Sequence, residues 1–113
     1  MLSYQKLDVY KCAIEFLALV AIIVQRISRG YSFLTDELKR AALSILQNIA
    51  EGVGKPSEAD RSRYFGIARG SAMECGAVLD ACAVLNLAQS DKLRHGSELL
   101  VRIVSMLSKM MKF

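Results

Sequence analysis

The sequence of 113 residues has no tryptophan, a single proline, a single histidine and three cysteines, and each scarcity narrows what the chain can be. Proline deletes a helical N–H and clashes with the preceding turn, so with Pro56 alone almost the whole chain is free to be continuous helix. The longest uncharged apolar run, Phe16 to Val24, is about half of the ~20 residues that a membrane-crossing helix needs, which leaves a core helix there. Asp8, Lys11 and Glu15 interrupt the early apolar residues, so the basic, apolar and small-residue order of a secretory leader is missing. A cytoplasmic protein with no membrane partner is expected. Cys12, Cys75 and Cys82 are odd in number and form no Cys-x-x-Cys pair, which favours reduced thiols in a core over a disulfide framework or a zinc cluster. His95 has neither a cysteine nor a carboxylate at the spacing of a nucleophile pair or metal site, and it is expected at the surface near a helix start. No catalytic residue, metal, cofactor or small-molecule substrate is expected.

What the chain does have is apolar surface. Hydrophobic residues make up 53% of it, too many for a disordered chain, and its length suits one domain spanning 1–113. Fifteen Lys and Arg against eleven Asp and Glu leave a formal charge of +4, which permits an anionic partner without requiring one.

Apolar spacing predicts four helices over about 4–28, 36–51, 57–85 and 90–111. In the first, Tyr10, Ile14, Leu17, Ala21 and Val24 step by four and three along one face. Ala13, Phe16, Val20, Ile23 and Ile27 form a second apolar flank, more than one bundle core requires. With Leu17 and Val24 inward, Phe16, Val20, Ile23 and Ile27 are the expected contacts to a second subunit. Gly30 fits a helix stop and Thr35 a hydroxyl cap for the second helix. Gly52, Gly54 and Pro56 read as its end, and although Gly52-Val53-Gly54-Lys55 resembles part of a phosphate loop, it follows a helix and lacks the full spacing. Ser57 before Glu58 and Asp60 caps the third helix, where Tyr64, Ala68, Ser71, Cys75, Val78, Cys82 and Leu85 keep heptad steps. Gly66, Gly70 and Gly76 interrupt it and predict close helix approach. Ser90 caps the fourth helix, which ends near Lys112. Connections this short make neighbours antiparallel, so the expected fold is all-α, an antiparallel up-and-down four-helix bundle.

Arg40, Ser44, Asn48 and Glu51 fall on one helical ladder, and Ser71 and Glu74 on the third helix can complete it. The pattern serves either as a recognition groove or as a polar network that fixes the register of the two helices, with Arg40 paired to Glu51 or Glu74; the second is favoured. Lys39, Arg40, Lys55, Arg61, Arg63 and Arg69 are the candidate nucleic-acid-binding cations, although acids interleave with them. Tyr64 and Phe65 are able to stack on bases, but core packing explains them more simply.

Two segments, RAALSILQNIAEG at Arg40–Gly52 and RYFGIARGSAME at Arg63–Glu74, with Tyr4, Leu7, Val9, Tyr10 and Ala13 before them, resemble the 23S rRNA intervening-sequence proteins. That family of small four-helix bundles is similar to the accessory bundle proteins of diversity-generating retroelements. The resemblance implies a bacterial homo-oligomer, a ring of five copies, and as partners RNA or an RNA-bound protein. The stretch from Gly30 to Leu38 departs from the pattern, since the family usually has a longer, proline-containing connection there. A protein-assembly module without nucleic acid is the alternative.

Overall fold

Three short connections reverse the chain, and between them run α1 (Asp8–Gln25), α2 (Ser32–Val53), α3 (Glu58–Val84) and α4 (Ser90–Met110). These are the α-helices among residues 1–111, the part of the chain that the computed structural model describes. Contacts across the α2–α3 seam run in opposite directions along the two helices: Arg40 meets Glu74, Ser44 meets Ser71, and Gly52 meets Phe65. Each helix packs against two neighbours in the cyclic order α1, α2, α3, α4 and back to α1, with α2–α3 the most extensive seam. The fold is thus an antiparallel up-and-down four-helix bundle. At 1.5 Å per residue α3 is roughly 40 Å long, which accounts for the 43 Å long dimension of the molecule.

The core is mostly aliphatic, with Phe16 its largest fully buried side chain: Phe16, Val20 and Ile23 from α1, Leu38, Ile45 and Ile49 from α2, Cys75 and Leu79 from α3, and Leu99, Ile103 and Leu107 from α4 are all almost completely buried. Each large side chain removed from water contributes about 1.5–3 kcal/mol before entropy is counted, so four amphipathic stripes closing on one interior are what holds the bundle together.

The structure corrects the expected orientation of α1. Phe16, Val20 and Ile23 face the core of their own chain and Ile27 is partly buried against it, so none of these four forms an outer flank. The helix is apolar on both sides, and it is the other set that looks outward: Ile14 is 43% exposed, Ala18 and Ala21 are exposed and Ile22 is 47% exposed, while Leu17 and Val24 are half-buried.

Element ends differ in instructive ways. The first segment is not one helix over 4–28. A 3-10 turn, Ser3–Lys6, is separated from α1 by Leu7 in extended conformation, and Asp8 then opens α1 where its carboxylate favours the dipole. Beyond Gln25 the N–H groups of Arg26 and Ile27 bond three residues back, which tightens and ends the helix. Gly30 lies in a second 3-10 turn, Arg29–Tyr31, and α2 starts at Ser32. Thr35 is consequently inside the first turn of α2, its hydroxyl donating to the Ser32 carbonyl at 3.1 Å instead of capping. α2 also runs through Gly52, which is buried, and closes at Gly54. Ser57 caps α3 as expected, its hydroxyl accepting from the Asp60 N–H. Gln89, not Ser90, is the N-cap of α4 and makes no side-chain cap bond. The expected end near Lys112 lies outside the described residues.

The glycines that permit close approach are not those of the α3 heptads. A Cβ on Gly70 would meet open space, on Gly76 it would make ordinary contact, and on Gly66 it would touch only the flexible tip of Met111. Gly52 and Gly96 are the crowded positions, against Phe65 and Leu79 respectively.

Candidate functional site

The polar face that the sequence places on α2 forms a ladder of three rungs, of which the first two cross to α3 and the third lies within α2. At the first, Arg40 Nη2 donates to Glu37 Oε1 at 2.7 Å and to Glu74 Oε2 at 2.8 Å. At the second, the hydroxyls of Ser44 and Ser71 are 2.8 Å apart, and Ser71 is the buried polar residue of the core. At the third, Asn48 Nδ2 reaches back to the Ser44 carbonyl at 2.9 Å and to its hydroxyl at 3.1 Å. Among the described residues no buried side-chain N or O atom lacks a partner, which is what a network fixing helix register requires.

Glu51 does not join this ladder. Eleven residues beyond Arg40, it is roughly 16 Å away along the axis, and it pairs with Lys55 at 3.3 Å instead. The acid the sequence reading missed is Glu37, one turn before Arg40, where the three-residue spacing between opposite charges was the available signal. The Arg40 hydrogen bond, and after it the one to Glu74, holds the Glu37 carboxyl below the usual carboxylate range, and Arg40 is pushed up in return by Glu37 and then Glu74. Arg40 itself is 60% exposed at its side chain, so its loss leaves no buried orphan charge and the large penalty for such a charge does not apply. Burial, then the adjacent Glu74 charge, pushes the Cys75 thiol up to about 12, and burial raises Cys82 as well. These thiols are packing groups, not nucleophiles.

The six candidate cations do not form one patch. Lys39 pairs with Asp36 at 3.6 Å in the first half of α2, and Lys55 lies roughly 24 Å further along that axis. Arg61 is a structural clamp, its Nη1 donating to the carbonyls of Lys55 and Pro56 at 2.9 Å each. Arg69 faces α4 and donates to the Ser108 hydroxyl at 2.9 Å. Lys55 and Arg63 do come together: the Lys55 ammonium is 5.1 Å and the Arg63 guanidinium 4.5 Å from the centre of the half-buried Tyr64 ring. Phe65, by contrast, is buried against Gly52 and offers no ring face for stacking. His95 is exposed and contacts Glu15 of α1 at 3.3 Å.

Among the described residues no group of three or more His, Cys, Asp or Glu is placed to hold a metal ion, and no helix is long and apolar enough to cross a membrane. The fold and its polar seam define a small up-and-down bundle with a cation–aromatic cluster at the end where α2 turns into α3. Within that class the chain belongs to the 23S rRNA-intervening sequence protein family, whose model matches residues 5–109. The crystal structure of a protein of unknown function from the S23 ribosomal protein family of Bacteroides thetaiotaomicron is similar, with a TM-score of 0.83 and 20% identity over 93% of this chain and 99% of that one. At that identity the likeness speaks for the fold. Comparison with curated proteins gives no match.

Proposed function

We propose that this protein is a non-catalytic bundle that assembles with copies of itself and binds RNA, or a protein carried on RNA, at the α2–α3 end. The observation that carries the proposal is Lys55 and Arg63 converging on the Tyr64 ring, which puts two phosphate-seeking charges beside a surface suited to a base. Arg40, Arg61 and Arg69 fall out of the binding set because carboxylates, carbonyls or a serine hydrogen-bond them, and Lys39 because it stands apart from the Tyr64 cluster. Lys55 stays in the set although it also pairs with Glu51 at 3.3 Å, a contact that phosphate would have to replace.

Self-assembly is supported by two unlike apolar faces. One is carried by α1 and α2, where Ile14, Ile22 and Leu43 are exposed, and the other by α3 and α4, where Met73 and Val101 are exposed. In the cyclic order of the bundle these faces are opposite each other, so a contact between them is head-to-tail instead of two-fold, and it gives a ring where the rotation between copies closes. The number five comes from the family resemblance.

Filter binding to structured RNA over a salt series, with sedimentation to count copies, tests this. Wild-type affinity should fall steeply with salt, and the double variant Lys55→Ala/Arg63→Ala should flatten the log–log slope by roughly 1.5. No binding at low salt would remove the RNA partner and leave an assembly module alone.

A further inference from the structure

Beside the cation–aromatic cluster lies a pocket of about 690 Å3, within the range of roughly 300–1,000 Å3 typical of small-ligand sites. Tyr4 of the N-terminal 3-10 turn, Tyr10 of α1 and Tyr64 of α3 line it, so three of the four tyrosines of the chain converge there, and Gln47, Asn48 and Glu51 of α2 supply its polar wall. Asn48 also belongs to the polar ladder and Tyr10 packs against the core, but neither role accounts for Tyr4 and Tyr64 joining them.

The aromatic walls are held in place. Tyr4 and Tyr10 meet edge to face, their ring centres 4.9 Å apart at 66°. The turn that carries Tyr4 is fixed by the Gln5 side chain accepting from the Leu2 N–H at 2.6 Å and by the Leu7 N–H donating to the Tyr4 carbonyl. On the polar wall, Asn48 spends its Nδ2 on Ser44, which leaves Oδ1 as an acceptor. Glu51 uses one oxygen on Lys55 at 3.3 Å and keeps the other. The pocket therefore offers π surfaces, acceptor oxygens on Asn48 and Glu51, and Lys55 and Arg63 over the Tyr64 ring that lines it.

A flat aromatic ligand that brings adjacent donors and a phosphate matches all three features. Among the four RNA bases, guanine alone presents two neighbouring donors on its pairing edge, N1–H and the N2 amino group, which one carboxylate accepts together. Adenine and cytosine pair one amino donor with a ring acceptor, and uracil flanks a single N–H with two carbonyls. We propose that this pocket binds an unpaired guanine of RNA, with the base beside the tyrosine rings, its pairing edge displacing Lys55 from Glu51 so that both carboxylate oxygens accept, and its phosphates on the released Lys55 and on Arg63. This rests on the RNA-binding proposal above and makes it specific to a base.

The test uses the full-length protein and fluorescein-labelled single-stranded hexanucleotides that differ at one central position, followed by anisotropy. Guanosine should bind about 10-fold more tightly than adenosine, cytidine or uridine, and also more tightly than inosine, which lacks only the N2 amino group. Glu51→Gln also frees Lys55, so the ratio of guanosine to inosine affinity is read, and it should fall to near one. Tyr64→Leu should weaken every sequence alike, with the circular dichroism spectrum unchanged. Equal affinity for all the hexanucleotides, with wild-type behaviour of Glu51→Gln, would overturn the guanine site while leaving salt-dependent RNA binding intact. Calorimetric binding of guanosine monophosphate that Glu51→Gln abolishes, in a protein that does not retain structured RNA at low salt, would support the pocket and remove the RNA proposal. Competition by tetramethylammonium at concentrations where guanosine monophosphate has no effect would overturn the guanine site in favour of a cation cage.

Discussion

Gly52→Ala adds one methyl group at the tightest place in the bundle, and its cost can be worked from distances. The new Cβ would lie 2.7 Å from Phe65 Cε1, 2.9 Å from Phe65 Cδ1 and 3.1 Å from Tyr64 Cβ. Carbon atoms in contact prefer about 3.5–4.0 Å, so the Phe65 ring or the end of α2 must move by roughly 1 Å. The ring is buried and the Tyr64 atom is fixed to the α3 backbone, which leaves little room for a cheap adjustment. Overpacking of this kind costs about 1–3 kcal/mol, and alanine returns at most about 1 kcal/mol of helix propensity, less in a last turn. The net expectation is a loss of about 1–2 kcal/mol, a fall in Tm of roughly 4–8 °C.

Urea unfolding followed by helical circular dichroism measures it, at one fixed chain concentration because the proposed assembly would make stability depend on concentration. The midpoint should fall at constant m-value. Phe65→Leu makes space for the methyl group, so combined with Gly52→Ala it should cost less than the two single changes together, by about 1 kcal/mol of coupling. A Gly52→Ala protein as stable as wild type, or strict additivity with Phe65→Leu, would refute the steric account and make Gly52 a simple helix end.

Asn86 holds the left-handed conformation, with φ 57°, at the end of α3, where the Leu87 N–H bonds the Cys82 carbonyl and the Asn86 N–H bonds the Ala83 carbonyl. Asn86→Ala should lower stability by about 1 kcal/mol and Asn86→Gly should match or exceed wild type in the same urea assay. Cys75 should resist thiol reagents at pH 8 in the native protein and react after urea is added, because burial raises its thiol from 9.0 to about 12. The unfolded chain loses that proton first, so the stability the thiol contributes is complete below pH 9 and declines as pH rises toward 12. Cys75→Ala should flatten the decline.

Ser57 was legible as a cap because its signal is local: a hydroxyl, then acids in the first turn, and the structure has that hydroxyl accepting from Asp60. The α2–α3 ladder was legible because Arg40, Ser44 and Asn48 repeat at helical spacing on a helix that is otherwise apolar inward. What could not be read is what depends on contacts far apart in sequence. The three tyrosines come from the N-terminal turn, α1 and α3, and no spacing rule gathers them. Gly52 looked like a helix break because two glycines and a proline fall within five residues, and only the Phe65 ring explains why a glycine is needed inside α2 there.

The reversed face of α1 has a similar cause. With apolar residues on both flanks, the periodicity of α1 allows two rotational settings of comparable burial, and shape, not hydrophobicity, must choose between them. The choice is visible on α4, where buried Gly96 leaves a notch: a Cβ there would stand 3.5 Å from Phe16 Cε1, 3.5 Å from Leu19 Cδ2 and 3.0 Å from Leu79 Cδ1. Phe16 and Leu19 sit one turn apart on α1, so the notch receives that side of the helix and turns Ile14, Ala18 and Ile22 outward. The room for this side of α1 thus comes from a glycine on a different helix, and the apolar surface left outside is the one that the proposed assembly would use.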